Sequence, residues 1–176
     1  MGDNGKWRMA EDYSGLKPTK GWPERNLHYI RYRLVPQMFK KLTGDPQHPV
    51  LEPPPAGMAR VTWIGHASFF VQFEEHSILF DPNWAIWLGA VKRLRHPGIL
   101  LEHMPEVDLV LVSHAHFDHL HKKSLRKVDA RDGIIVPMGS GSLVTRLGFS
   151  EVREMKIWEE EMISGLRVLH TPSHHW

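Results

Sequence analysis

The pattern of apolar and polar residues predicts a three-stranded β-meander that begins just after residue 60. Apolar residues dominate residues 61–64, 68–73 and 77–80, and a polar Glu-Glu-His segment separates the last two stretches. Short runs rich in Val, Ile, Phe and Trp are typical of strands. Because the connections between them are short, we expect the three strands to pair as antiparallel neighbours.

Strands and helices alternate in the second half of the chain. Residues 107–113 are nearly all apolar, as expected of a strand covered on both faces. The elements predicted after it are helix 121–128, strand 133–137, helix 141–147, and strands 152–155 and 166–170. Residues 83–104 are predicted to be irregular. The alternation favours an α/β fold.

The first 57 residues have a different character from the rest. Residues 1–24 are polar and predict an irregular arm. Apolar residues recur at helical spacing over 26–42, where Pro36 is expected to kink or divide the helix. The polar face of that helix is basic, and it could pack on the domain or touch anionic lipid. Five prolines in 45–57 predict a linker. We therefore expect an arm over 1–57 and a domain over 58–176.

Composition is ordinary for a globular protein, with 41% apolar and 24% charged residues in a chain of 176. The absence of cysteine excludes disulfides and thiolate metal ligands. No signal-like or membrane-spanning apolar run is present in the sequence, so we expect a cytoplasmic protein that could lie at a membrane surface. A net charge of +2 gives no support for nucleic acid as a partner.

The motif that carries chemistry is His114-Ala115-His116-Phe117-Asp118-His119, directly after the predicted strand 107–113. Side chains alternate along a strand, so His114 and His116 can point the same way. Asp118 and His119 follow the strand and can reach a second ion. Neutral imidazoles and a carboxylate are good ligands for zinc, manganese or iron. The alternative is a solvated, histidine-rich loop.

The HxHxDH motif resembles the metal motif of the metallo-β-lactamase-fold hydrolases. Several flanking segments are similar to one branch of that superfamily, which includes lactonases and N-acyl-phosphatidylethanolamine phospholipase D. These segments are 61–68, 78–82, 136–139 and 147–149. Residues 158–160 and the Thr-Pro-Ser-His-His-Trp segment at 171–176 look most like the phospholipase D members.

The resemblance implies a four-layer αββα sandwich and a site for two divalent ions. By resemblance, His114, His116 and His175 hold the first ion, and Asp118 and His119 hold the second. Zinc is the expected metal, with manganese, iron or nickel as alternatives. Asp118 is also the expected catalytic residue, because it could orient the nucleophile as well as bind metal.

Two further residues are expected near this site. Asp81 lies in a Phe-Asp-Pro segment at a strand end and is expected to hold a ligand imidazole through its other ring nitrogen. The alternative is an Asp-Pro turn that only ends the strand. His66 could reach the rim of the site or serve as a structural histidine. Gly65 is expected to allow close packing.

The function implied is hydrolysis by a metal-bridged hydroxide. A phospholipase D-like phosphodiesterase acting on N-acyl-phosphatidylethanolamine-type lipids is favoured, because the apolar loop 84–88 could contact acyl chains or a bilayer. A lactonase acting on a small sugar-derived substrate is the alternative enzyme. A non-catalytic metal-binding half-domain is a third interpretation, and a nuclease is disfavoured by the near-neutral charge.

In this family the two-ion site also needs a later Asp and a final His, both beyond the position that matches Trp176. We therefore expect this chain to supply about the first half of the domain. A second chain or a missing C-terminal half would complete it. Residues 1–176 alone are expected to bind at most one ion tightly and to expose an apolar sheet face.

Overall fold

The structure is a computed structural model, and it describes residues 21–45, 47–73 and 75–172. Residues 1–20 of the irregular arm predicted over 1–24, and the predicted ligand His175, lie outside the described residues; residues 22–24 are helical, so that part of the prediction is wrong. The chain divides into two compact units, one ending at Phe39 and the other beginning at Lys40. No helix within the described part of the chain is both long enough and apolar enough to cross a membrane.

The first unit contains one helical run with a change of winding in its middle. Helix α1 spans Trp22–Tyr29, a π-helical turn spans Ile30–Leu34, and α2 spans Val35–Met38. Pro36 has no N–H, and its ring crowds the carbonyl four residues earlier, so the wider turn just before it accommodates the proline. Pro36 was expected to kink or divide the helix; the run continues through Pro36, and only the winding changes just before it. The predicted end at residue 42 is wrong, because the helix stops at Met38.

A six-stranded sheet forms the centre of the second unit, in the order β1-β2-β3-β6-β7-β8. The strands are β1 Ala59–Gly65, β2 Ser68–Phe73, β3 His76–Phe80, β6 Leu109–Leu111, β7 Ile134–Pro137 and β8 Val152–Met155. The first three pair antiparallel, which confirms the predicted meander. Strands β3, β6, β7 and β8 pair parallel. The predicted α/β class is confirmed.

Smaller elements flank this sheet. They are the hairpins β4 Trp87–Leu88 with β5 Val91–Lys92 and β9 Glu160–Ile163 with β10 Leu166–Leu169, helix α3 Lys122–Leu125, and 3₁₀ turns at Leu101–His103 and Gly141–Leu143. The prediction that residues 83–104 are irregular is therefore wrong in part, because a short hairpin and a 3₁₀ turn form there. The β9–β10 turn consists of Ser164 and Gly165, both with positive φ, as two-residue hairpins prefer.

The predicted helix over 141–147 is wrong. Only the short 3₁₀ turn at Gly141–Leu143 forms there. Glycine and serine are poor helix formers, and the backbone N–H of Gly141 donates to the carboxylate of Glu154 on β8. The carboxylate satisfies the first N–H of the turn, and the low helix propensity of glycine and serine accounts for its short length.

Both faces of the sheet carry apolar residues. One face packs Phe70, Leu79, Val110 and Ile134 against the connecting segments, including Leu125 of α3. On the other face the β9–β10 hairpin covers Leu109, Ile135 and Met155. Strand pairing continues this second face onto β1 and β2. There Val61, Trp63 and Phe69 are exposed by 60%, 57% and 37%.

Candidate metal centre

The predicted site residues that the structure describes meet at the carboxyl ends of β3 and β6. These strands are parallel and adjacent, with Phe80 opposite Leu111. Asp81 follows β3 immediately, and its backbone N–H donates to the carbonyl of Leu111 at 2.9 Å. The 113–119 segment follows β6 at the same edge. The strand register therefore brings Asp81 against the histidine motif, although 32 or more positions separate them.

Asp81 holds two groups of the motif with its two carboxylate oxygens. Its Oδ1 accepts from the backbone N–H of Ser113 at 2.7 Å. Its Oδ2 accepts from Ser113 Oγ at 2.6 Å and lies 2.7 Å from His119 Nδ1. A carboxylate only accepts, so His119 carries its proton on Nδ1. The other ring nitrogen, Nε2, is then an acceptor that can bind a metal ion.

A similar relay orients His114. The hydroxyl hydrogen of Ser113 is directed to Asp81, so the Ser113 oxygen accepts from His114 Nδ1 at 2.9 Å. Nε2 of His114 is then a second acceptor nitrogen, and it lies 3.2 Å from Nδ1 of His116. The rings of His114 and His119 are 3.9 Å apart between centroids. The structure thus places all three motif histidines side by side.

Asp118, the carboxylate of the motif, lies close to two histidines. Its Oδ2 lies 3.0 Å from Nε2 of His66 and 3.8 Å from Nε2 of His119. One ligand atom from each of these three residues lies within 4.8 Å of the other two. Two imidazole nitrogens and a carboxylate oxygen at this separation fit a divalent ion that prefers N and O ligands. His66, expected only at the rim, thus belongs to this group of donors.

Opposing effects act on the ionisation of Asp118. Burial raises its pKa, whereas a backbone hydrogen bond and the charges of His119 and His66 lower it. The lowering effects are together the larger, so the pKa lies below its usual value. Asp118 is therefore ionised near neutral pH, in the form that binds a cation.

Three supporting residues were missed by the sequence reasoning: Ser68, Asn83 and Ser113. Ser68 Oγ donates to the carbonyl of Asp81 at 2.5 Å and accepts from the backbone N–H of Asn83 at 3.1 Å. The Asn83 amide donates to the carbonyl of Asp118 at 2.8 Å. Ser68 and Asn83 are fully buried. In the sequence these three residues stand out only because each lies in or next to a family-like segment. A single polar residue forms no periodic pattern that would predict such a role.

Two residues of the site have left-handed backbone conformations. The φ angles are 52° at His66 and 43° at Asp81. Residues with a Cβ adopt this region at a cost, which the surrounding structure has to overcome. In this site the turn between β1 and β2 presents His66, and the bend after β3 turns the Asp81 carboxylate towards Ser113.

A sequence profile for the beta-lactamase superfamily domain matches residues 76–176, which is more than half of the chain. The chain belongs to the metallo-β-lactamase-fold superfamily. The matched range includes the whole HxHxDH motif and Asp81, but it begins after His66.

Several known proteins resemble parts of the chain. A mitochondrial N-acyl-phosphatidylethanolamine-hydrolyzing phospholipase D of Saccharomyces cerevisiae is 31% identical over 65% of this chain and 27% of its own length. A metal-dependent hydrolase of Anaeromyxobacter is 46% identical over 36% of this chain and 22% of its own. CmlA, a diiron beta-hydroxylase from Streptomyces venezuelae, superposes with a TM-score of 0.53 and 24% identity, over 69% of this chain and 25% of that one. The chain thus spans about a quarter of each of these proteins.

Arg93 connects two segments that support the metal site, the end of β1 before His66 and the segment that begins at Asn83. Its guanidinium donates to the carbonyls of Ile64, Asn83 and Ala85 at 3.3, 2.7 and 3.1 Å. Burial lowers its pKa. A Cβ at Gly65 would lie 2.2 Å from the guanidinium, so the predicted close packing at Gly65 is confirmed. Arg93 therefore fixes the chain before His66 against the chain that carries Asn83.

The Arg93→Lys variant is expected to lower the free energy of unfolding by about 2 kcal/mol, because an ammonium cannot reach three separated carbonyls as a planar guanidinium does. Urea denaturation measures this change. Arg95→Lys is the matched control, since Arg95 is exposed, and its effect is expected within about 0.5 kcal/mol. Equal stability of the two variants would contradict this role for Arg93.

Proposed function

We propose that this chain carries the metal-binding part of a metal-dependent hydrolase. The observation that supports this most strongly is the contact of Asp81 with Nδ1 of His119, which leaves Nε2 facing the Asp118 carboxylate. A buried carboxylate that fixes the tautomer of a histidine is a typical partner of a metal ligand. If the motif were only a solvated, histidine-rich loop, it would not need the carboxylate of Asp81, which is only 5% exposed.

The donors divide into two groups, one for each proposed ion. Asp118 and His119 bind one ion, with His66 completing three donors. His114 and His116 bind the other, together with His175, which lies outside the described residues. Zinc is the proposed metal, and manganese, iron and nickel have compatible ligand preferences.

The chain's own residues position the reaction. Divalent ions bound here would supply a hydroxide nucleophile near neutral pH and would polarise the substrate. Asp118, which is ionised, can accept a hydrogen bond from the attacking water and orient it. Asp81 and Ser113 keep the imidazoles of His119 and His114 in the tautomer that presents Nε2 to the site.

A phosphodiester of an N-acyl-phosphatidylethanolamine-type phospholipid is the proposed substrate. The yeast relative hydrolyses such a lipid, according to its name, and shares 31% of the aligned residues with this chain. The loop after Asn83 also exposes apolar side chains, Ile86 and Trp87, that suit acyl chains or a bilayer surface.

We further propose that another protein segment, in cis or in trans, covers the exposed face formed by Val61, Trp63 and Phe69. Three large apolar side chains exposed together on one sheet face are rare on monomeric surfaces. The same segment would supply the remaining donors of the ion that Asp118 and His119 bind. Partial coverage of the relatives agrees with this proposal.

The test of function is mass spectrometry of the products formed by the natural protein that carries this sequence. With N-acyl-phosphatidylethanolamine in detergent micelles, we expect release of phosphatidic acid and an N-acylethanolamine. The Asp118→Asn variant, which is nearly isosteric, is expected to lose at least about 100-fold in turnover. Turnover of small lactones without any lipid product would refute the phosphodiesterase and favour a lactonase.

A further inference from the structure

A groove of about 540 Å³ lies between the 84–87 loop and helix α3. Its walls combine apolar and cationic side chains, and they contain neither Asp nor Glu. The apolar side is Trp84, Ile86 and Trp87, and the cationic side is Lys123, Arg126 and Lys127. Such walls suit an anion that also has an apolar part.

The three cations are exposed; Lys123 lies in α3, Arg126 ends that helix and Lys127 follows it. None of them forms a salt bridge with another residue in the described part of the chain. The lining of the groove therefore presents cations that no carboxylate within that lining neutralises.

The apolar side of the groove is fixed in place yet open to solvent. The backbone N–H of Trp84 donates to Ser124 Oγ on α3 at 2.9 Å, and its indole N–H donates to the carbonyl of Ile99 at 2.8 Å. Ile86 and Trp87 are nevertheless 39% and 43% exposed, and Val91 on the β4–β5 hairpin is 55% exposed. Exposed aliphatic side chains gain free energy from a hydrocarbon phase.

We propose that this groove is a docking site for anionic phospholipid at a membrane surface. The phosphate lies against Lys123 and Arg126, and the first part of an acyl chain lies against Ile86 and Trp87. Cations next to tryptophan are the combination found where proteins meet the lipid headgroup layer. A free phosphate or a nucleic acid backbone would satisfy the cations but would leave the apolar side chains of Ile86 and Trp87 in water.

The groove is connected to the metal centre through the chain. Asn83, which donates to the carbonyl of Asp118, immediately precedes Trp84 in the groove wall. The docking site rests on the proposed function and deepens it, because the groove would be the surface from which a lipid substrate is taken. Vesicle binding tests the groove without any measurement of turnover, so the two proposals can fail separately.

The experiment is sedimentation of the natural protein with vesicles of two parts phosphatidylcholine to one part phosphatidylglycerol. We expect binding to these vesicles and much weaker binding to phosphatidylcholine alone. Lys123→Gln/Arg126→Gln should weaken the partition coefficient about 30-fold, since each cation at an anionic surface is worth about five-fold. Trp87→Ala should weaken binding to the mixed vesicles as well, without changing the preference for anionic lipid.

The matched control is Arg146→Gln/Arg167→Gln, which removes the same charge from two exposed positions outside the groove. An equal loss of binding in this control would overturn the site, because total charge would then explain the attraction. Binding to phosphatidylcholine vesicles that is as strong as binding to the mixed vesicles would also overturn the docking site. So would a protein that binds glycerol phosphate or DNA but no vesicles. Lipid turnover with unaltered vesicle binding in the groove variants would refute this inference while leaving the proposed function intact.

Discussion

The His119→Ala variant is expected to lose at least about 100-fold in metal affinity, since loss of even an indirect partner of a metal site costs about 10–100-fold. His119 belongs to the three-donor group with His66 and Asp118. It is also the imidazole whose tautomer Asp81 fixes. Its removal leaves two donors from that group, which is too few to retain a divalent ion against water.

Equilibrium dialysis followed by elemental analysis measures the loss. The same change appears in thermal unfolding, because a ligand present at 100 times its Kd stabilises the folded state by about 2.7 kcal/mol. Added zinc should therefore raise the melting temperature of the parent more than that of the variant, which keeps His114 and His116 for the other proposed ion. His103→Ala is the control, because His103 is an exposed histidine outside the site. Equal metal content in the His119→Ala variant and the parent would show that the donor group is assigned wrongly.

Substitution of Asp81 should separate a structural role from a role in the metal site. Asp81→Ala leaves the Ser113 N–H without its acceptor, which costs about 1–3 kcal/mol of stability. Asp81→Asn keeps an oxygen for that N–H but turns an amide donor towards His119. The imidazole must then accept through Nδ1 and carry its proton on Nε2, where it cannot bind metal. We expect Asp81→Asn to keep most of the stability and to lose about 10–100-fold in metal affinity.

Asp108→Asn is the matched control for this experiment. Asp108 is also buried, and it also accepts from a backbone N–H, that of Ser77 at 2.6 Å, but at the other end of β6. Its substitution should affect stability without affecting metal binding. Metal affinity that falls equally in both variants would show that Asp81 acts through general stability alone.

The sheet was predictable to the extent that each strand carries its own signal. Val61, Phe70 and Leu79 lie in short apolar runs, so the antiparallel meander followed from pattern and spacing. Strand β9 was not predicted, because Glu160 and Glu161 contribute no apolar alternation. The β9–β10 hairpin forms since the Ser164-Gly165 turn and the sheet face beneath Ile163 favour it, and that face exists only after folding.

The candidate site was predictable only in its local part. His114 and His116 do lie side by side, but strand alternation is not the reason, because the predicted strand 107–113 ends at Leu111 and both histidines follow it. The contact of His66 with Asp118 joins residues 52 positions apart, and no periodic signal connects them. Arg93 could not be predicted as a support, since its three acceptors are backbone carbonyls from two other segments.

The left-handed backbone at His66 and Asp81 implies a conflict between the stability of this protein and its chemistry. Glycine would adopt both conformations without steric cost. At Asp81 that gain is opposed by the loss of the acceptor for the Ser113 N–H, so the conflict is sharpest at the exposed His66. Glycine at position 66 would relieve the backbone and remove one donor of the metal group. A copy of this domain freed from its function should thus lose the His66 side chain early, while Asp81 and the strands persist.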